Sequence, residues 1–150
     1  MSSAASFETT RRVRDTCLCL HAQRTARSLA RRFDEALQPV GLTNGQFSLL
    51  NALNRPDPPP ISAVARFLAM DRTTLTAALK PLGRRGLVTI SKDPADRRSR
   101  RLNLTAAGRR TLAAAIPIWR RAHAALEREL RGRTNADKLR AALNALGQTR

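Results

Sequence analysis

The sequence predicts a mainly α fold with one small β-hairpin. Two long stretches, near residues 9–38 and 105–130, place apolar residues three and four positions apart, which is the spacing of an amphipathic helix. Between them lie three shorter helical patterns, followed by two alternating segments on either side of a turn-rich loop. We therefore expect helices at both ends of the chain to flank a compact helical core that carries the hairpin.

Composition restricts the class of partner. The 150 residues include 28 Lys and Arg against 11 Asp and Glu, a net charge of +17, and a polyanionic partner is the simplest reason for such self-repulsion. Aromatic residues make up only 3%, whereas single-strand binders stack bases on aromatic side chains, so double-stranded DNA is favoured. No apolar run is long enough to cross a bilayer and no signal segment is present. We expect a cytoplasmic protein with no membrane partner.

The first periodic segment spans about residues 9–38. Pro39 and Gly41 end it. Arg occupies its other faces, and the apolar residues that recur at helical spacing are Val13, Cys17, Leu20, Leu29, Phe33 and Leu37. A helix of about 30 residues is long for a compact domain. We therefore expect it to pack against something outside its own core, for which a second subunit is the natural candidate.

The middle of the chain predicts a helix-turn-helix. Thr43 and Gln46 have the spacing of a capping box and begin a helix that stops before the proline-rich residues 55–60. A short helix follows at about 61–69, and Asp71 can cap the next, which runs to about Arg84. Two short helices joined by so tight a turn form a helix-turn-helix.

A basic hairpin comes next. Gly86 ends the helix, and residues 87–91 and 101–104 alternate as two strands. The loop between them, residues 92–100, contains turn-forming residues and many cations. A β-hairpin with a basic tip directly after a helix-turn-helix is a wing.

The remaining residues are predicted to be helical. Thr105 can cap a helix whose apolar stripe includes Trp119 and His123, and Pro117 must kink or locally loosen it. After Gly132, Thr134 is expected to open a last helix.

Helix order, wing and flanking helices together resemble the MarR family of winged-helix regulators. The resemblance covers nearly the whole chain, and its most specific part is the wing. It implies a winged helix-turn-helix DNA-binding core at 42–108, flanked by a helical dimerisation region at 7–38 plus 109–147, and a homodimer with paired recognition helices on a palindromic operator. The matching strings are Leu42-Thr43-x-x-Gln46-Phe47, Asp71-Arg72-Thr73-Thr74-Leu75-Thr76, Leu82-x-x-x-Gly86-Leu87-Val88, Asp93-Pro94-x-Asp96-Arg97-Arg98-Ser99 and Leu104-Thr105-x-x-Gly108-Arg109.

The helix after Asp71 would be the recognition helix. If its leucines face the core, a rotation of about 100° per residue turns Thr73, Thr76, Ala77 and Lys80 outward, with Arg72 at the rim. Thr hydroxyls and a small Ala methyl suit base edges in the major groove, whereas Lys80 and Arg72 suit phosphates. The alternative is an ordinary solvated helix face.

The wing supplies the remaining predicted DNA contacts. Lys92, Arg97, Arg98 and Arg100 are its candidate cations, and an Arg in a narrow minor groove gains from the negative potential there. The resemblance implies that Asp96 and Arg98 fix the wing, which leaves Arg97 or Arg100 to probe the groove. The alternative is a merely soluble loop.

Effector residues are predicted from fewer signals. One branch of the MarR family senses organic peroxides through a cysteine on the first helix, near Cys19; the supporting tyrosines are absent here, although His21 and Arg24 could favour a thiolate. Incidental thiols are the alternative. The first interpretation of Trp119 is that it packs in the core between helices. The resemblance also places it beside a pocket for a small aromatic or anionic effector.

Catalytic and metal-binding patterns are missing. The sequence has no phosphate-binding glycine loop, no HExxH, no GxSxG and no metal-ligand spacing, so we expect no enzyme, cofactor or metal. The predicted function is a sequence-specific transcriptional regulator that acts as a repressor and is released from DNA by a small-molecule effector. The alternatives are a non-specific architectural, nucleoid-type DNA-binding protein and a thiol-based redox sensor of the same family.

Overall fold

The computed structural model describes residues 5–147 and confirms the mainly α fold with a two-stranded wing. No helix in this part of the chain is both long and apolar enough to cross a membrane. The elements in chain order are α1 (Phe7–Thr16), α2 (Leu18–Leu37), one 3₁₀ turn (Gln38–Val40), α3 (Asn44–Leu53), α4 (Ile61–Phe67), α5 (Arg72–Arg84), β1 (Val88–Lys92), β2 (Arg100–Leu104), α6 (Ala106–Leu130) and α7 (Ala136–Gly147).

The predicted single first helix is wrong, because the helix is interrupted at Cys17. This residue has φ −71° and ψ 106°, an extended conformation, and its N–H donates to the Val13 carbonyl at the end of α1. Its Sγ accepts the Leu20 N–H at 3.4 Å and caps α2. A side chain that satisfies one of the free N–H groups at a helix start favours the break. Cys17 therefore has a capping role, not the apolar helix position that the periodicity predicted.

Three predicted helix starts are confirmed and one is wrong. Thr43 and Gln46 form both bonds of the capping box, Asp71 caps α5, and Thr105 accepts the Gly108 N–H at 3.0 Å to cap α6. The last helix begins one residue later than predicted, because Asn135, not Thr134, accepts the Lys138 N–H at 2.8 Å. Helix α6 continues through Pro117 without ending.

One apolar core joins the elements from α2 to α6. Each fully buried leucine or valine stabilises the fold by about 2 kcal/mol relative to an exposed one. Antiparallel strands β1 and β2 pair Val88 with Leu104 and Lys92 with Arg100, which seats the base of the wing on this core. The fully buried large side chains are Leu37, Leu50, Val64, Leu75, Leu82, Leu102 and Leu112.

Helices α1 and α7 do not take part in that core. Neither contains a buried residue, and Phe7 and Leu146 are 77% and 70% exposed. Helix α2 is attached to α6 by an ion pair between Arg32 and Glu129. Among the residues that the structure describes, none covers the apolar faces of α1 and α7.

Candidate nucleic-acid interface

Helix α5 follows α4 after a tight turn and is held at its start by Asp71. The Asp71 carboxylate accepts the Thr74 hydroxyl at 2.6 Å and the Thr74 N–H at 2.8 Å. These bonds hold the pKa of Asp71 below its ordinary value. Leu75, Leu79 and Leu82 are buried, so the opposite face of α5 points to solvent.

That opposite face carries all five predicted recognition-helix residues. Together they line one open, concave surface of about 350 Å³, which we call the α5 surface. Each of them is exposed. The buried leucines thus turn one compact group of hydroxyls, a methyl group and two cations outward; its members are Arg72, Thr73, Thr76, Ala77 and Lys80.

The two threonines of the α5 surface have different hydrogen-bonding capacity. The Thr76 hydroxyl donates to the Arg72 carbonyl at 2.8 Å, so its oxygen can still accept a bond while its methyl group offers apolar contact. Within residues 5–147 the Thr73 hydroxyl makes no hydrogen bond with another side chain or backbone group. Thr73 can therefore both donate to and accept from a base edge, whereas Thr76 suits an amino group or a thymine methyl.

The wing is anchored by a buried carboxylate that the sequence did not single out. Asp93 is only 8% exposed; it accepts the Ala95 N–H at 3.0 Å and pairs with Arg101 at 3.1 Å. The Ala95 bond, helped by Arg101, lowers the pKa of Asp93 against the opposing effect of burial. Arg101 also donates to the Pro58 carbonyl at 2.7 Å, so the wing is attached to the proline-rich loop.

At the wing tip the structure separates anchored from free cations. Asp96 accepts the backbone N–H of Arg98 at 2.9 Å and does not pair with its guanidinium. Arg100 donates to the carbonyls of Arg97 and Ser99, each at 3.1 Å. Lys92, Arg97 and Arg98 are exposed, and none of their side chains forms a hydrogen bond or ion pair within the described part of the chain. Of the two arginines predicted to probe the groove, Arg100 is therefore held by backbone carbonyls, while the Arg97 side chain bonds no other group within residues 5–147.

The predicted effector residues do not form one group. His21 and Arg24 line an open groove on α2, while the exposed Cys19 accepts the Gln23 amide at 3.3 Å. Trp119 lies elsewhere, in a cavity of about 620 Å³ between α3, the end of α4 and α6. The residues lining this Trp119 cavity are Phe47, Ser48, Asn51, Phe67, Leu68, Ile116, Trp119 and Arg120.

Trp119 stands in an aromatic column. Its ring lies 6.1 Å from Phe47 and 4.8 Å from His123, centroid to centroid. The cation on the cavity wall is Arg120 of α6. Among residues 5–147, no three His, Cys, Asp or Glu side chains are grouped so that they could hold a metal ion.

Comparison with known sequences identifies related proteins. A family model described as a winged helix DNA-binding domain matches residues 42–108. The transcriptional regulator HosA of Escherichia coli is 38% identical over 99 residues, which are 65% of this chain and 69% of HosA. For two other curated relatives the chain matches only 44% and 57% of their own length, about half.

Solved structures are similar over almost the whole fold. The M. tuberculosis transcriptional regulator MosR in complex with DNA is 36% identical, with a TM-score of 0.80 over 89% of this chain and 95% of that one. The transcriptional repressor CouR bound to a 23-mer DNA duplex is 34% identical, with a TM-score of 0.76 over 87% and 92%. CouR bound to p-coumaroyl-CoA is 30% identical, with a TM-score of 0.75 over 89% and 93%.

Proposed function

The chain belongs to the MarR family of winged helix-turn-helix regulators, and from that premise we propose that it reads a palindromic operator in double-stranded DNA as a homodimer. The observation that carries this proposal is the α5 surface, where three side chains suited to base edges and two suited to phosphates share one exposed, concave face. In this proposal residues 42–108 are the DNA-binding core, and residues 7–38 plus 109–147 form the dimerisation region.

Each part of the interface has a separate role. Thr73, Thr76 and Ala77 contact base edges, where sequence is read, while Arg72 and Lys80 bind phosphates, which set register. At the wing, Lys92, Arg97 and Arg98 face the adjacent minor groove and backbone. Asp96 and Arg100 stabilise the conformation of the wing, since their side chains bond its backbone.

A second copy of the chain is the proposed occupant of the open apolar faces. The terminal helices expose large apolar side chains that no other element within residues 5–147 covers, and an amphipathic helix normally buries such a face. A two-fold dimer also accounts for a palindromic site, because operator symmetry mirrors protein symmetry. The side chains concerned are Phe7 and Val13 on α1 and Leu139, Leu143 and Leu146 on α7, with Leu18 beside them at the start of α2.

The Trp119 cavity is the proposed effector site. Its lining combines aromatic rings with Arg120, and the Arg55 guanidinium lies 5.6 Å above the Phe67 ring at its edge, so a small aromatic anion fits its chemistry. The related CouR binds p-coumaroyl-CoA. Binding between α3 and α6 would change the separation of the recognition helices and release DNA, at a coupling of about 1–3 kcal/mol.

We propose repression as the mode of control. CouR is named a repressor, whereas another curated relative is named an activatory protein. A repressor that blocks transcription needs only an operator-bound dimer. Transcription from an operator-bearing promoter should therefore fall when this protein is added to purified polymerase.

Sequence reading is tested by selecting the preferred duplex from a random pool and comparing it with a scrambled duplex by fluorescence anisotropy at physiological salt. A specific regulator should prefer the selected duplex about 10³-fold or more. Replacing Thr73 and Thr76 together with Ala should reduce that preference about tenfold or more, because base-edge contacts carry it. The exposed Thr25→Ala should not change it. Equal wild-type binding to both duplexes would instead favour the architectural alternative.

Effector binding can be followed at Trp119, the single tryptophan of the chain. Titration with aromatic carboxylates and their CoA thioesters should quench its fluorescence and release the selected duplex over the same concentration range. Arg120→Ala should weaken the anionic ligand about tenfold, through loss of a charge-assisted contact. Coenzyme A alone is the control. Quenching without release of DNA would show that a ligand binds in the cavity but does not control DNA binding.

A further inference from the structure

Arg85 lies just beyond the last turn of α5, and its side chain bonds a different element. Its Nη1 donates to the Gly41 carbonyl at 2.7 Å, across 44 residues of sequence. Gly41 ends the 3₁₀ turn that follows α2. One hydrogen bond from a charged donor thus connects the end of the helix that carries the α5 surface with the end of α2.

Gly41 is suited to receive this bond. Its φ of +66° is the left-handed conformation that glycine adopts most easily. A Cβ at this position would lie 3.2 Å from Arg85 Nη2, so any larger residue would crowd the guanidinium. Glycine here both turns the chain and leaves room for Arg85.

The support to which Arg85 is attached is itself held in place. The Asp34 carboxylate of α2 accepts the Asn44 N–H at the start of α3 at 2.6 Å. Leu37 and Leu42, on either side of the turn, are buried in the core. The end of α2, the turn and the start of α3 therefore form one packed unit, whereas Arg85 reaches that unit from the exposed end of α5.

We propose that Arg85 is a positioning residue that sets the orientation of α5 against α2, and so the spacing of the two recognition helices on the operator. The inference rests on the proposed homodimer, because α2 lies within the dimerisation region assigned to residues 7–38. A cation beside a recognition helix would ordinarily be read as a phosphate contact. Arg84 provides the comparison, since it is exposed and its side chain forms no hydrogen bond or ion pair within residues 5–147.

Half-site spacing is the property that this role predicts. Half-sites of a dimeric helix-turn-helix protein lie about one DNA turn apart, so one added or removed base pair displaces a half-site by roughly 3.4 Å along the axis. A dimer with firmly oriented recognition helices should discriminate against such a displacement. A dimer whose α5 can pivot should tolerate it.

The test uses duplexes that keep the selected half-sites and change their separation by one or two base pairs. Wild-type protein, Arg85→Ala and Arg85→Met are compared with Arg84→Ala and Arg84→Met, which remove the same charge one residue away. Methionine keeps an apolar stem if alanine fails to fold. Thermal melts of each free protein show that it is folded.

We expect the wild type to prefer one spacing about tenfold over its neighbours, a coupling of ordinary size. Both Arg85 variants should reduce this preference to about twofold, while both Arg84 variants keep it. Retention of the wild-type preference by a folded Arg85 variant, or its equal loss in the Arg84 variants, would overturn the inference alone. A wild type that binds selected and scrambled duplexes equally would overturn the proposed function, and the inference with it.

Discussion

The winged core and the terminal helices have similar amphipathic patterns but bury them differently. In the core, every leucine of α3 and α5 is buried, and Leu50, Leu75 and Leu82 are fully buried. In α1 and α7 no residue is buried. Apolar periodicity therefore predicts a helix and its apolar face, but not whether another part of the same chain covers that face.

The largest loss of core stability is expected from a substitution at Gly108, where α6 packs against the base of the wing. A Cβ at this position would lie 2.2 Å from the Leu87 carbonyl oxygen and 2.7 Å from Leu104 Cδ1. Since backbone must move to relieve the first contact, we expect Gly108→Ala to lower the free energy of unfolding by about 3 kcal/mol. Urea denaturation measures the change.

Gly83→Ala is the matched control for this substitution. Its added Cβ would lie 3.9 Å from the Val88 oxygen, an ordinary contact, and alanine in a helix stabilises by roughly 0.5–1 kcal/mol over glycine. Similar losses of stability in the two variants would contradict the packing of α6 on the hairpin.

A charge introduced into a terminal helix should weaken self-association of the protein but leave the stability of its core unchanged. Leu143 of α7 is 51% exposed, so Leu143→Asp should leave the melting temperature of the core nearly unchanged. It should weaken self-association by about 2 kcal/mol, the size of an interface hot spot, and sedimentation velocity measures this. Ile90→Asp, at a residue 52% exposed on β1, is the control in the other region. Equal sedimentation of both variants and the wild type would remove α7 from the interface.

The smallest expected effect lies at the wing tip. Arg97→Ala should lower affinity for the selected duplex by about 1 kcal/mol and make the slope of log affinity against log salt shallower by about one, because one cation is removed from the negative potential of the minor groove. Stability and self-association should stay as in the wild type. Arg121→Ala, at an exposed site on α6, removes the same charge away from the core. If both variants behave alike, Arg97 acts only through net charge.

The helix starts could be predicted because a cap depends on residues three positions apart. Thr43, Asp71 and Thr105 each bond the N–H three residues later, so the pattern is visible in the sequence itself. The start of α7 was placed wrongly because Thr134 and Asn135 are adjacent and both can cap. The interruption at Cys17 was missed because apolar periodicity continues across it, and a thiol is not among the preferred caps.

The residues of the α5 surface could also be predicted from the sequence, since the helical rotation and the three buried leucines place them on one face. Asp93 and Arg101 were not identified as a pair, although the hairpin brings the two ends of the wing loop together. That signal is short-range and could have found them. The bonds of Arg101 to Pro58 and of Arg85 to Gly41 offered no such signal, because each joins residues more than 40 positions apart.

By itself the sequence determined which segments are helical, where most of them begin, the basic wing and the outward face of α5, because those features depend on residues within a few positions of one another. Only the tertiary structure decided which arginine side chains bond other groups, where the Trp119 cavity lies, and which apolar faces stay exposed among residues 5–147. The physical reason is that a guanidinium or an apolar face is satisfied by whichever group packs against it, and that group is supplied by the fold across long separations in sequence.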